Sequence, residues 1–249
     1  MSNTETVPCP SAYFRGRVLK SSAIRVSTLF NNGRCCRRSD LDSKRVLTPL
    51  YRLIYKHNTG WLQPGYTSSM PELKTLPDYL APGLEIVSIG LNPSLPSVRE
   101  GFYFANPRNR FWRALNESGL LAEQLVPGVA AMDVLLKRDR IGFTDVVKRP
   151  TAGAHDLRAA DYREWSPLLL QKLEKYQPKI AWFHGKQAYA NYLKHAEGIK
   201  APIAWGEQSH CIGPARVFVT PNPSPANAAY SLVVLTDWFR QLQEFRETR

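Results

Sequence analysis

Leu84-Glu85-Ile86-Val87-Ser88-Ile89-Gly90-Leu91 is a short apolar run with three β-branched residues. It is too short for a packed helix and reads as a strand buried on both faces. Asn92-Pro93-Ser94 follows and stops it, since Pro93 has no N–H to give a neighbouring strand. Outward from this strand the pattern repeats. Residues 141–147, 179–184 and 216–220 read as three further strands. Helical patterns lie between them. Residues 109–117 place Phe111, Trp112 and Leu115 on one face. Ser166 reads as the cap of a helix that starts at Pro167 and stops at Gln177-Pro178. A helix over 186–196 starts after Gly185. A last helix over 228–246 gathers Leu232, Leu235, Phe239, Leu242 and Phe245 on one side. Strands alternating with helices predict a three-layer α/β/α fold around a short, mostly parallel central sheet.

The chain has 249 residues, 43% of them hydrophobic and 22% charged. That is enough for one sizeable core, assigned here to residues 76–249, with an extension over 1–75. No apolar run approaches a membrane span, and no secretory signal is expected. The net charge of +12 suggests a polyanionic partner. The charge is uneven: residues 1–75 alone carry a net +8. With breakers such as Asn32-Gly33 and Pro64-Gly65, this segment reads as a basic, weakly ordered arm, with a short helix near residues 49–55. A targeting peptide and a stretch foreign to the natural product are the other readings. Cys9, Cys35, Cys36 and Cys211 contain no C-x-x-C pair, and the five histidines show no metal spacing. Neither a metal nor a cofactor is expected, and a reducing compartment is the default.

In an open α/β sheet the ligand site lies beyond the carboxyl ends of the strands. That directs attention to the residues after Leu91, Val147, His184 and Thr220. Two of these loops hold the same tripeptide, Asn92-Pro93-Ser94 and Asn222-Pro223-Ser224. Each sets a side-chain amide on a Pro-shaped turn, although Asn and Pro are also ordinary loop residues. Asp145, near the end of the second strand, is a stronger water activator than an amide; its bland reading is an ion pair with Lys148 or Arg149. Lys186, opening a helix, and Arg110 are candidates for phosphate contact, with a solvated Lys and an Arg packed beside Trp112 as the alternatives. His184 reads as an ordinary histidine at the rim.

A longer stretch decides among these readings. Gly90-Leu91-Asn92-Pro93-Ser94-Leu95 is followed by Gly101-Phe102-Tyr103-Phe104-Ala105-Asn106-Pro107-Arg108-Asn109-Arg110-Phe111-Trp112. It resembles the first motif of the mismatch-specific uracil/thymine DNA glycosylases, a branch of the uracil-DNA glycosylase superfamily. The resemblance continues through residues 142–151, 185–189 and 221–224. It implies a monofunctional glycosylase acting on duplex DNA with G:U or G:T mismatches, hydrolysing the N-glycosidic bond to start base excision repair. In that reading Asn92 is the catalytic residue that holds a water, with Asp145 the runner-up. Phe104 stacks on the flipped base, and backbone groups near Ser97 and Phe102 meet its edge. Asn222, Pro223 and Ser224 form the loop that enters the minor groove. Two departures stand out. Ser94 occupies the usual glycine position. Pro225-Ala226-Asn227-Ala228 lacks the bulky or basic wedge such a loop carries, leaving Asn227 to meet the widowed guanine. No membrane partner is implied, and a monomer is expected, in the cytoplasm with the nucleoid if bacterial and in the nucleus if eukaryotic. A non-catalytic DNA-binding protein and a glycosylase for another base, such as hypoxanthine, remain the alternatives.

Overall fold

The computed structural model describes residues 74–248. The basic extension over 1–75 and its short helix lie, but for Lys74 and Thr75, outside the described residues. Five strands form one sheet in the order β2-β1-β3-β5-β4. They are β1 (Ile86–Gly90), β2 (Ile141–Asp145), β3 (Ile180–His184), β4 (Gly206–Glu207) and β5 (Arg216–Thr220). The four longer strands are parallel, with Gly90 level with Asp145 and Ile86 level with both Ile141 and Ile180. Only β4 runs antiparallel, against β5. Every residue of β1, β2 and β3 is buried, as strands covered on both faces require.

Alternation along the strands divides the core in two. Ile86, Phe143, Trp182 and Phe218 point to one face. There they meet α2 (Phe111–Glu117), α3 (Val129–Lys137) and α6 (Leu232–Glu247). Val87, Ile89, Ala181, Phe183, Val217 and Val219 point to the other. There they meet α4 (Ala159–Tyr176) and α5 (Lys186–Tyr192). The expected α/β/α layering is therefore present. A short α1 (Leu95–Glu100) sits in the loop after β1, capped by the Ser94 hydroxyl.

Three helices differ from the sequence reading. Helix α4 starts at Ala159, before Ser166, because the Asp161 carboxylate accepts the Arg158 N–H at 2.7 Å and satisfies an end donor there. Pro167 lies inside the helix, and the bond it forgoes falls at the exposed Arg163. The expected cap, Ser166, is buried, and its hydroxyl has no partner among the described residues. Helix α5 loosens into a π turn over Leu193–Glu197. Helix α6 starts at Leu232, where Ser231 accepts the Val234 N–H. Strand β1 lies between β2 and β3, so the chain leaves β1 toward one side and β3 toward the other. The crevice opens where those strands end.

Candidate active site

A cavity of about 150 Å³ occupies that crevice. Its wall comes from the ends of three strands and the loops beyond them. Gly90 comes from β1, Asp145 from β2, and His184 from β3; Asn92, Phe104, Thr151 and Asn222 are brought in by loops. Gly90 and Asn222, 132 positions apart in sequence, meet here because every parallel strand delivers its carboxyl end to the same edge.

Asn92 is held by its nitrogen. Nδ2 donates to Thr151 Oγ1 at 2.7 Å, to the Arg149 carbonyl at 3.2 Å and to the Pro93 carbonyl at 3.3 Å. The Thr151 hydroxyl gives its one proton to the Gly153 carbonyl at 2.8 Å. Toward Asn92 it can therefore only accept, which fixes which end of the amide is nitrogen. Asn92 Oδ1 takes no hydrogen bond from any described residue. It is an acceptor of set direction in the cavity wall. The 149–153 loop is tied in turn by Arg149, which makes a two-pronged contact with Asp161 at 2.7 Å on each prong. That hydrogen-bonded pairing pulls the Asp161 pKa down to about 2.

Phe104 adopts a left-handed backbone, φ 58°, costly for an aromatic residue and kept only where surroundings enforce it. They do so here. Trp112 Nε1 donates to the Tyr103 carbonyl at 3.0 Å, and the Ala105 N–H donates to Ser97 Oγ at 3.2 Å. Phe111 stacks on one face of the Phe104 ring, centroids 4.0 Å apart. The ring is thus fixed beside the cavity with one face already covered. Ser97 lines the cavity too, its hydroxyl spent on Ala105 and Ser94. Phe102 is not in the cavity wall; its ring packs edge-on against Trp112 instead. Ser94 lines the cavity while its hydroxyl caps α1.

His184 and Asp145 supply two buried ionisable groups. His184 Nε2 lies 2.8 Å from Ser88 Oγ, and burial pushes its pKa down to about 3, so it is neutral at physiological pH. Its Nδ1 has no partner among the described residues. Asp145 is pushed up to about 6 by burial, against the pull of Lys148, whose Nζ is 3.5 Å away. Lys148 is shared with Asp78 at 2.9 Å and the Tyr103 hydroxyl at 3.0 Å. Burial works against ionising Asp78, but Lys148 and Lys172 outweigh it and keep its pKa below the usual value.

Asn222, Pro223 and Ser224 begin the loop after β5, and Asn222 and Ser224 reach the cavity. Asn222 Oδ1 accepts the Ser224 N–H at 2.9 Å. Asn227 turns inward, donating to the Asn222 carbonyl at 3.0 Å. Arg110 is turned to this loop as well. Its guanidinium donates to the carbonyls of Pro223 (3.3 Å), Ser224 (2.6 Å), Asn227 (2.9 Å) and Tyr230. Four of the five Arg110 N–H donors thus go to carbonyls of this loop and clamp it. Lys186 lies outside the cavity wall, with Nζ 4.6 Å from the centroid of Trp205. Thr151 and Tyr103 escaped attention as site residues. Thr151 closes the motif block over 142–151, which was the one signal available.

The sequence matches a known family. Residues 77–246 match the model of the uracil DNA glycosylase superfamily. The chain belongs to the uracil DNA glycosylase superfamily. A solved structure, the solution NMR structure of a Methanosarcina acetivorans protein provisionally described as a uracil DNA glycosylase, is similar at 24% identity and a TM-score of 0.46. The similarity covers 69% of this chain and 98% of that one. In this superfamily member no helix among the described residues is long and apolar enough to cross a membrane. No group of three or more His, Cys, Asp or Glu residues among them could hold a metal ion.

Proposed function

We propose that this superfamily member is a monofunctional DNA glycosylase for uracil opposite guanine, with mismatched thymine and cytosine adducts as further substrates. The observation that carries the reading is the oriented amide of Asn92, a cavity-wall residue whose Nδ2 is bound on three sides and whose Oδ1 takes no bond from any described residue. An amide oxygen is a poor base but a good guide for a water proton. Such a site works by positioning a water against the sugar carbon while the bond to the base breaks. Phe104, rigidly backed by Phe111, offers a flat surface on which a flipped pyrimidine would stack. Among the described residues no lysine lines the cavity, which favours water over an amine as the nucleophile. Residues 222–227, beside the cavity mouth, are the segment that would meet the duplex, with the basic segment over 1–75 adding phosphate contacts.

The test is base release from a duplex holding one uracil opposite guanine, with wild type and Asn92→Ala in parallel. Release by wild type and a loss of at least about a hundredfold in the variant are expected. Duplexes with thymine opposite guanine, or uracil opposite adenine, then read the mismatch preference. No release by wild type from any of them would sink the proposal.

A further inference from the structure

Asp145 lies in the wall of the same cavity as Asn92, and the structure gives it room that it did not have to give. Gly90 is its partner in register on β1. A Cβ at Gly90 would overlap Asp145 Oδ1, so the carboxyl lies directly over a strand end that has been left bare. Only 3% of the Asp145 side chain is exposed, yet it belongs to the cavity wall. An ion pair alone does not explain this placement. Lys148 is farther from Asp145 (3.5 Å) than from Asp78 (2.9 Å), so its charge is committed mainly to Asp78, which Lys172 also contacts at 2.6 Å. The other ionisable groups near Asp145 are Tyr103, whose hydroxyl hydrogen-bonds it and favours its charged form, and His184, at the end of β3 in the same cavity wall.

We infer that Asp145 is a second catalytic residue, acting in its neutral form as the acid that serves the departing base. This rests on the glycosylase reading above. When the sugar–nitrogen bond breaks, its electron pair leaves with the base, and negative charge spreads to the ring oxygens. A carboxylate in the same dry cavity opposes that charge; a carboxylic acid stabilises it by donating its proton to a ring oxygen. The base then leaves as its neutral hydroxy tautomer. The water guided by Asn92 adds its oxygen to the sugar carbon, and the proton that water sheds restores the Asp145 acid. Atoms and charge balance, with water the one co-reactant. The fully buried carboxyl, held near pH 6 by burial against the pull of Lys148, is neutral often enough to act under mildly acidic conditions.

The experiment is single-turnover uracil release between pH 5 and pH 8.5, using the full chain, wild type beside Asp145→Asn and Lys148→Gln. Wild type should be fastest below about pH 6 and fall toward tenfold per pH unit above it. Asp145→Asn, which can donate a hydrogen bond but cannot transfer a proton, should be slower than wild type by about tenfold or more at pH 5 and nearly flat with pH. Lys148→Gln removes the charge that favours ionisation, so its fall should begin at higher pH than that of wild type. A wild-type rate that rises with pH through 6, with Asp145→Asn inactive, would overturn the inference and make the carboxylate a base. Asp145→Asn that tracks the wild-type profile would overturn it too. Absence of release by wild type at every pH would instead fell the glycosylase reading on which the inference stands.

Discussion

The Thr151 hydroxyl sits 2.7 Å from Asn92 Nδ2 and passes its own proton to the Gly153 carbonyl, so it dictates which way the Asn92 amide faces. Thr151→Val keeps the shape and removes the acceptor. The amide then loses its shortest bond and the reason to keep Oδ1 in the cavity wall. The expected outcome is a fall in single-turnover base release of about 10- to 100-fold. Stability should drop by only about 1 kcal/mol in a denaturant titration. Full activity in Thr151→Val would mean that the two backbone carbonyls suffice.

Arg110 joins four carbonyls of the 223–230 segment with one planar fork. The tip of that segment, Pro225-Ala226, has no bulky side chain, so its usefulness against a duplex depends on backbone rigidity. Arg110→Lys cannot reproduce the fork. Uracil release from duplex DNA should fall about tenfold further than release from a single strand, where no base must be unstacked. Equal losses on both substrates would show that the clamp serves the fold alone.

The raised pKa of Asp145 has a sign opposite to the usual stabilising carboxylate. Its folded value, about 6, lies above the unfolded value near 3.9. The folded state therefore holds this proton more tightly, a benefit that is full below about pH 4, fades through pH 4 to 6, and is replaced by the cost of a buried charge above 6. Asp145→Asn should melt higher than wild type at pH 7, by up to about 3 kcal/mol in stability, and lose that advantage at pH 4. Thermal melts at the two pH values check this, and an equal difference at both would contradict it.

Gly90→Ala tests the same wall from the other side. The added methyl would overlap Asp145 Oδ1, and strand β1 is buried on both faces, so only the carboxyl can yield. Destabilisation of about 1–3 kcal/mol is expected from overpacking. The pH profile of base release should also lose its break near 6. A variant with an unchanged profile would place the carboxyl away from the reacting base.

Most of the sheet could be read from the chain because parallel strands buried on both faces are nearly continuous apolar runs. Strand β5 is bounded at Arg216 and Thr220 in both readings. Helix α3 went unread: its apolar positions are mixed with Val129 and Asp133 on the outside. So did β4, whose two residues hold too little pattern. Pro167 misled the reading of α4, since a proline marks a helix start only when no earlier cap competes, and Asp161 is such a cap. In the site, the Asn92 turn and Phe104 were legible through motif blocks. The roles of Arg110 and Thr151 were not, because both act through backbone carbonyls far away in sequence, which no residue pattern encodes.

The Asn92 amide is anchored by the 149–153 loop, whose neighbours Ala152, Ala154, His155 and Asp156 are all exposed. The sheet beneath is closed on both faces. Two parts of the molecule thus differ in how readily they open. On gentle heating the Asn92 amide should come loose while the sheet stands, so the base release proposed for this site would fade first and return on cooling. The temperature at which that release fades would then be set by one surface loop, and Asp161, through its grip on Arg149, is where a change would move it.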